Sequence, residues 1–221
     1  MQKWVRTLSP ASEFAVVIVG AFGYFIFTSY VAHLQRSSYN LSDADLEYLI
    51  VHELIVGATL AIFLFARGWS LKRIGLAPTL KDTGVGFLLV AANLMVWGTI
   101  WIVVAGFSQS TAQAAKEVAT IPAAPGTTFW IVALASFVNG TFEEMFVCGY
   151  VITALKDRST PWTAINISVG ITLLYHLYQG PIGMMFVVLT SVSFGYWYAQ
   201  TGRLWPPILA HAVIDFLALY P

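Results

Sequence analysis

Apolar residues run along this chain in long, nearly unbroken stretches. Strict alternation would mark half-buried strands, and a one-sided stripe would mark a surface helix, but runs of this length are neither. Stretches at 14–34, 48–66, 84–107, 129–155, 162–178, 182–200 and, shorter, 204–220 contain few charged residues. The hydrocarbon core of a bilayer is about 30 Å thick and takes about 20 mostly apolar residues of helix. The pattern predicts an all-α fold, a polytopic transmembrane helix bundle of about seven spans (seven or eight). Residues 1–221 read as a single integral-membrane domain without internal repeats. The first run follows Lys3 and Arg6 as a signal peptide would. It is too long for such a segment and lacks a small-residue cleavage site, so an uncleaved span is expected.

Composition agrees with the pattern. Of 221 residues, 58% are hydrophobic and 10% charged, and eleven cations balance eleven anions. A soluble domain carries roughly a quarter of charged residues, and a nucleic-acid binder needs a basic surplus, so both classes are excluded. The single cysteine, Cys148, excludes an intrachain disulfide and a multi-cysteine zinc site. With the N-terminus in the cytoplasm, that side holds Lys3, Arg6, Arg67, Lys72, Arg73, Lys81, Lys156, Arg158 and Arg203. The other side holds only Arg36 and Lys116. This asymmetry predicts N-terminus in and, with seven spans, C-terminus out. Segment 35–47 reads as a solvated loop, 108–127 as a surface helix and turn, and 67–76 as a stretch along the cytoplasmic interface.

The spans contain polar residues that the bilayer penalises. All Lys and Arg lie outside them, yet Glu53, Glu143, Glu144 and Asp215 lie inside, as do His52, His176 and His211. A carboxylate at mid-bilayer costs roughly 2.5–3.5 kcal/mol even on the lenient insertion scale, so such groups face the bundle interior and mark function. At 1.5 Å per residue, Glu143 lies about 18 Å from residue 155 and His176 about 21 Å from residue 162. His211 and Asp215 lie about 10 and 16 Å from residue 204. Three helices thus bring polar groups to overlapping depths. His211 and Asp215, four apart, share a helix face and can pair with each other. His52 and Glu53 lack a second histidine at metalloprotease spacing and read as structural or substrate-lining. Gly170, Gly183 and Gly195 read as close-packing positions.

Three segments carry a family resemblance. They are Glu143-Glu144-Met-Phe-Val-Cys148, then Leu-Leu-Tyr-His176, then His211-Ala-Val-Ile-Asp215, in that order on separate spans. Together they resemble the CPBP family of CAAX-processing and bacteriocin-processing intramembrane proteases, also called Abi or Rce1-like. Residues 129–217 form the motif-bearing core. Two positions depart from the family pattern: Cys148 stands where the first motif has arginine, and Thr172 where the second has phenylalanine.

The resemblance implies an intramembrane endopeptidase acting on a peptide or lipid-modified protein substrate in contact with membrane lipid, without nucleic acid. It implies Glu143 as general base on a water, helped by His176, with His211 as oxyanion donor. Asp215 would orient His211 or donate itself, and Glu144 would stand beside Glu143. No cofactor is expected; if a metal is present, the ligands would be Glu143, His176 and His211, a set zinc accepts. Without the arginine, Glu144 is expected to lack a partner, Glu144→Gln to be mild, and Cys148→Arg to be tolerated. Two other classes stay open: a non-catalytic immunity or scaffold protein on the same fold, and a proton-coupled transporter.

Overall fold

In the computed structural model, which describes residues 7–35, 40–107 and 123–220, the chain is helical almost throughout. Seven principal helices are present among the described residues: α1 (Pro10–Gln35), α2 (Asp43–Ala66), α3 (Leu80–Phe107), α4 (Phe129–Glu144), α5 (Pro161–Tyr175), α6 (Gly180–Thr201) and α7 (Trp205–Leu219). α4 continues through a π-helical stretch, Met145–Ile152, and a last turn at Thr153–Leu155. Among the described residues, five segments are long and apolar enough to cross a membrane. The other two, α5 and α7, have 15 residues each, about 22 Å of rise. The bundle predicted from the apolar runs is present, and the protein is integral to the membrane.

α2 and α3 start earlier than their apolar runs, because polar caps precede them. Ser42 accepts from the Asp45 backbone while Asp45 accepts from the Ser42 backbone, a capping box that starts α2 at Asp43 rather than 48. Thr79 does the same for α3 by accepting from the Asp82 backbone N–H. The segment 35–47 is therefore only partly loop: Asp43 accepts from the backbone and hydroxyl of Thr128, tying α2 to the start of α4. The expected surface helix at 108–122 lies outside the described residues. Along 67–76 the chain makes turns, with Trp69 and Ile74 buried against the core and Ser70, Leu71, Lys72 and Arg73 exposed. Trp69 is buried and donates its indole N–H to Glu13, which also pairs with Arg67.

The centre of the bundle is α4. Of its most apolar window 56% is buried, against 17–28% for the other four long segments. α7 packs on α4 and α3, α2 on α4, α5 on α6, and α1 on α5. Large apolar side chains such as Val19, Phe27, Ile62, Leu88 and Ile102 point outward, as they do in lipid. At Gly140 a Cβ would lie 2.8 Å from the backbone nitrogen of Ala212, so glycine lets α4 and α7 touch. Among the expected close-packing glycines, Gly195 approaches Ile165, whereas Gly170 meets nothing within 4 Å. α5 stops inside its apolar run, three residues before the expected end. The chain then turns through a short 3₁₀ segment to Gly180, whose φ of +68° suits a residue without Cβ.

Candidate active site

The α4–α7 contact at Gly140 fixes the register that assembles the site. His211, beside Ala212, directs Nδ1 to Glu144, donating to Oε1 at 2.8 Å. Its other nitrogen, Nε2, then faces Glu143 Oε2 at 3.8 Å and Asp215 Oδ2 at 3.5 Å. Neither separation is a hydrogen bond, so Nε2 stands open between two carboxyls. Glu144 thus holds Nδ1 of His211 by a hydrogen bond, whereas Asp215, expected to orient His211 or to donate itself, faces Nε2 without one. Asp215 instead accepts from Asn139 Nδ2 at 2.8 Å. Nor does Glu144 lack a partner, although its Oε2 makes no hydrogen bond among the described residues. The buried thiol of Cys148 lies alongside that carboxyl.

His176 arrives from a different geometry. It is the C-cap of α5, and its Nδ1 donates to the Thr172 carbonyl at 2.9 Å, because a carbonyl can only accept. That bond fixes the ring and leaves Nε2 free to work. The preceding residue, Tyr175, donates its hydroxyl to Glu143 Oε2 at 2.6 Å. Tyr175 stacks on Phe22 of α1 with ring centroids 4.8 Å apart, which holds the phenol against the carboxyl. Non-helical backbone at membrane depth is tolerated where it lines a cavity. Here it does.

Two cavities meet at this turn. One, of about 430 Å³, is lined by Asn139, Glu143, Tyr175 and His176, with Tyr24 and Tyr48 toward its mouth. The second, of about 280 Å³, is more apolar and is walled by Trp97, Trp101, Phe186 and Phe194. His176, Gln179 and Asp215 border both. All five site residues read from the sequence, Glu143, Glu144, His176, His211 and Asp215, therefore come together. Among the described residues, no three His, Cys, Asp or Glu side chains are grouped as a metal ion's ligands would be.

Sequence reading missed Asn139 and Tyr175. Asn139 is four residues before Glu143 on one face of an apolar span, a signal the helical period makes available. Tyr175 precedes His176 directly, and only the break in α5 turns both side chains into the cavity. His52 was read as structural or lining; its ring packs among Tyr24, Phe25 and Tyr48 with centroids 5.0–5.9 Å away. Glu53 points the other way, into the protein, and is 2% exposed.

A buried cluster of carboxyls and histidines at the junction of two cavities, inside a helical membrane bundle, defines the class. It is an integral-membrane helical protein with a buried cluster of acid–base groups. Residues 125–217 match the family model described as Rce1-like, type II CAAX prenyl endopeptidase. The resemblance carried by the three motifs therefore holds over the segment that contains them, and the match supports a membrane protease in general. No curated protein and no solved structure matches the chain.

Proposed function

We propose that the protein is an intramembrane endopeptidase that hydrolyses a peptide bond in a membrane-anchored, prenylated substrate of the CAAX type. The observation that carries this reading is the convergence of Glu143, His176, His211 and Asp215 at the meeting point of the two cavities. Tyr175 occupies Oε2 of Glu143, so Oε1 is the atom that takes a proton from water. The water oxygen attacks the peptide carbonyl, the C–N bond breaks, and Glu143 returns the proton to the leaving amine. His176 Nε2 holds the same water. His211 gives Nδ1 to Glu144, so donation from Nε2 to the oxyanion needs the imidazolium. Glu143, Glu144 and Asp215 surround that ring and favour its charge.

Substrate placement follows from the cavity walls. The extended peptide lies in the polar cavity under Tyr24 and Tyr48, and the prenyl chain lies between Trp97, Trp101 and Phe186. Cations concentrated on one side support an N-terminus in the cytoplasm, and a reporter fused after Pro221 that behaves as cytoplasmic would contradict it. The reaction needs no metal in this scheme; stoichiometric zinc in active purified protein would contradict that. Cys148 in the arginine position favours a non-catalytic binding protein as the second reading. Purified protein incubated with a farnesylated CAAX peptide separates the two: a shortened product seen by mass spectrometry supports the endopeptidase, and binding without cleavage supports the second.

A further inference from the structure

Glu53 lies on α2, outside the segment that matches the family model. Its side chain is almost fully buried, and neither carboxyl oxygen has a hydrogen-bond partner among the described residues. The packing of α2 on α4 gives its level. Leu46 and Ile50 share a cluster with Val132 and Ala135, and one layer further a Cβ at Gly57 would meet the Phe142 ring at 3.4 Å. Glu53 falls between these layers on the same stripe of α2, opposite the turn of α4 that carries Ser136 and Asn139. Ser136 is 1% exposed, and its hydroxyl also lacks a partner among the described residues.

We propose that Glu53 and Ser136 form an internal water site behind the catalytic carboxyls, and that Glu53 is a positioning residue acting through this water. Two orphaned polar groups on facing helices offer both oxygens of an acid and a hydroxyl, the partners a buried water requires. Asn139 joins this site to the chemistry. It lies one turn from Ser136 toward Glu143, and it donates to Asp215. A water held by Glu53 and Ser136 fixes Asn139, and Asn139 in turn fixes Asp215 and the space beside Glu143. An apolar side chain at 53 would pack more favourably against α4 than a carboxyl without direct protein partners. Its presence is therefore a sacrifice of stability for the site.

This inference rests on the endopeptidase reading, so the test has an arm that does not depend on cleavage. Full-length protein in detergent is assayed with the farnesylated CAAX peptide and melted by thermal shift, as wild type, Glu53→Leu, Glu53→Gln and Ser136→Ala. The expected result is a loss of about tenfold or more in kcat for Glu53→Leu with little change in KM. Its melting temperature stays equal or rises by about 2–4 °C. Glu53→Gln keeps two polar atoms for the water and rescues kcat to within about threefold, and Ser136→Ala shows a smaller loss of kcat than Glu53→Leu. Wild-type kcat in Glu53→Leu would overturn the proposal, and so would a kcat loss in Glu53→Gln as large as in Glu53→Leu. A melting temperature that falls in Glu53→Leu overturns it even if no variant, wild type included, cuts the peptide. Absence of cleavage by wild type alone counts against the endopeptidase reading and leaves the thermal arm to decide this one.

Discussion

In the proposed mechanism Glu144 acts through His211, and a double-mutant cycle tests this. The Nδ1–Oε1 contact is 2.8 Å long and buried, with Glu144 3% exposed. A hydrogen bond to a charged group contributes about 1.5–3 kcal/mol. At 1.36 kcal/mol per decade, losing it in Glu144→Ala should lower kcat by about 10- to 150-fold. His211→Ala removes the oxyanion donor itself, which costs about 10²–10³. With His211 gone, Glu144 has nothing left to orient. The double variant should therefore fall no lower than His211→Ala alone, a coupling as large as the whole Glu144 effect. Glu144→Gln retains an oxygen that accepts from Nδ1 and should lie between wild type and Glu144→Ala. The assay is kcat on the farnesylated CAAX peptide for the four corners of the cycle. Losses that multiply would mean that Glu144 works independently of His211, and the orientation argument would fail.

Other expected outcomes follow from single contacts. Tyr175→Phe deletes the hydroxyl 2.6 Å from Glu143 Oε2 and should reduce kcat by about tenfold or more while the melting temperature stays close to wild type. Gly140→Ala puts a Cβ 2.8 Å from the Ala212 nitrogen, where only backbone could yield; the strain of about 1–3 kcal/mol should lower the melting temperature in a thermal-shift assay. Cys148→Arg, expected from the motif to be tolerated, should instead lower both the melting temperature and kcat. Residue 148 is buried in the packed core, and a guanidinium there would compete with His211 for Glu144.

The spans were legible because a bilayer imposes one simple requirement, length with little charge, which five segments among the described residues meet and the shorter α5 and α7 approach. The capped starts of α2 and α3 were not, because the residues that cap a helix are the polar ones that also make loops. The end of α5 had a local signal in Gly180-Pro181, yet apolarity continues through it, so the run alone predicted a longer helix. The five site residues stood out as polar groups in apolar spans. Their pairing did not. Four-residue spacing joins His211 to Asp215, but α4 and α7 touch at Gly140, and that contact gives His211 to Glu144 and Asp215 to Asn139. Cross-helix register depends on where two surfaces fit, and no periodicity in one strand of sequence encodes it.

The central claim is that Glu143 activates the water that cleaves the peptide. The most direct measurement compares wild type with Glu143→Gln, both purified and of equal melting temperature, on the farnesylated CAAX peptide by mass spectrometry. The account predicts a shortened product from wild type and a rate about two to four orders of magnitude lower in Glu143→Gln, the usual worth of a general base. Equal rates from the two proteins would contradict it.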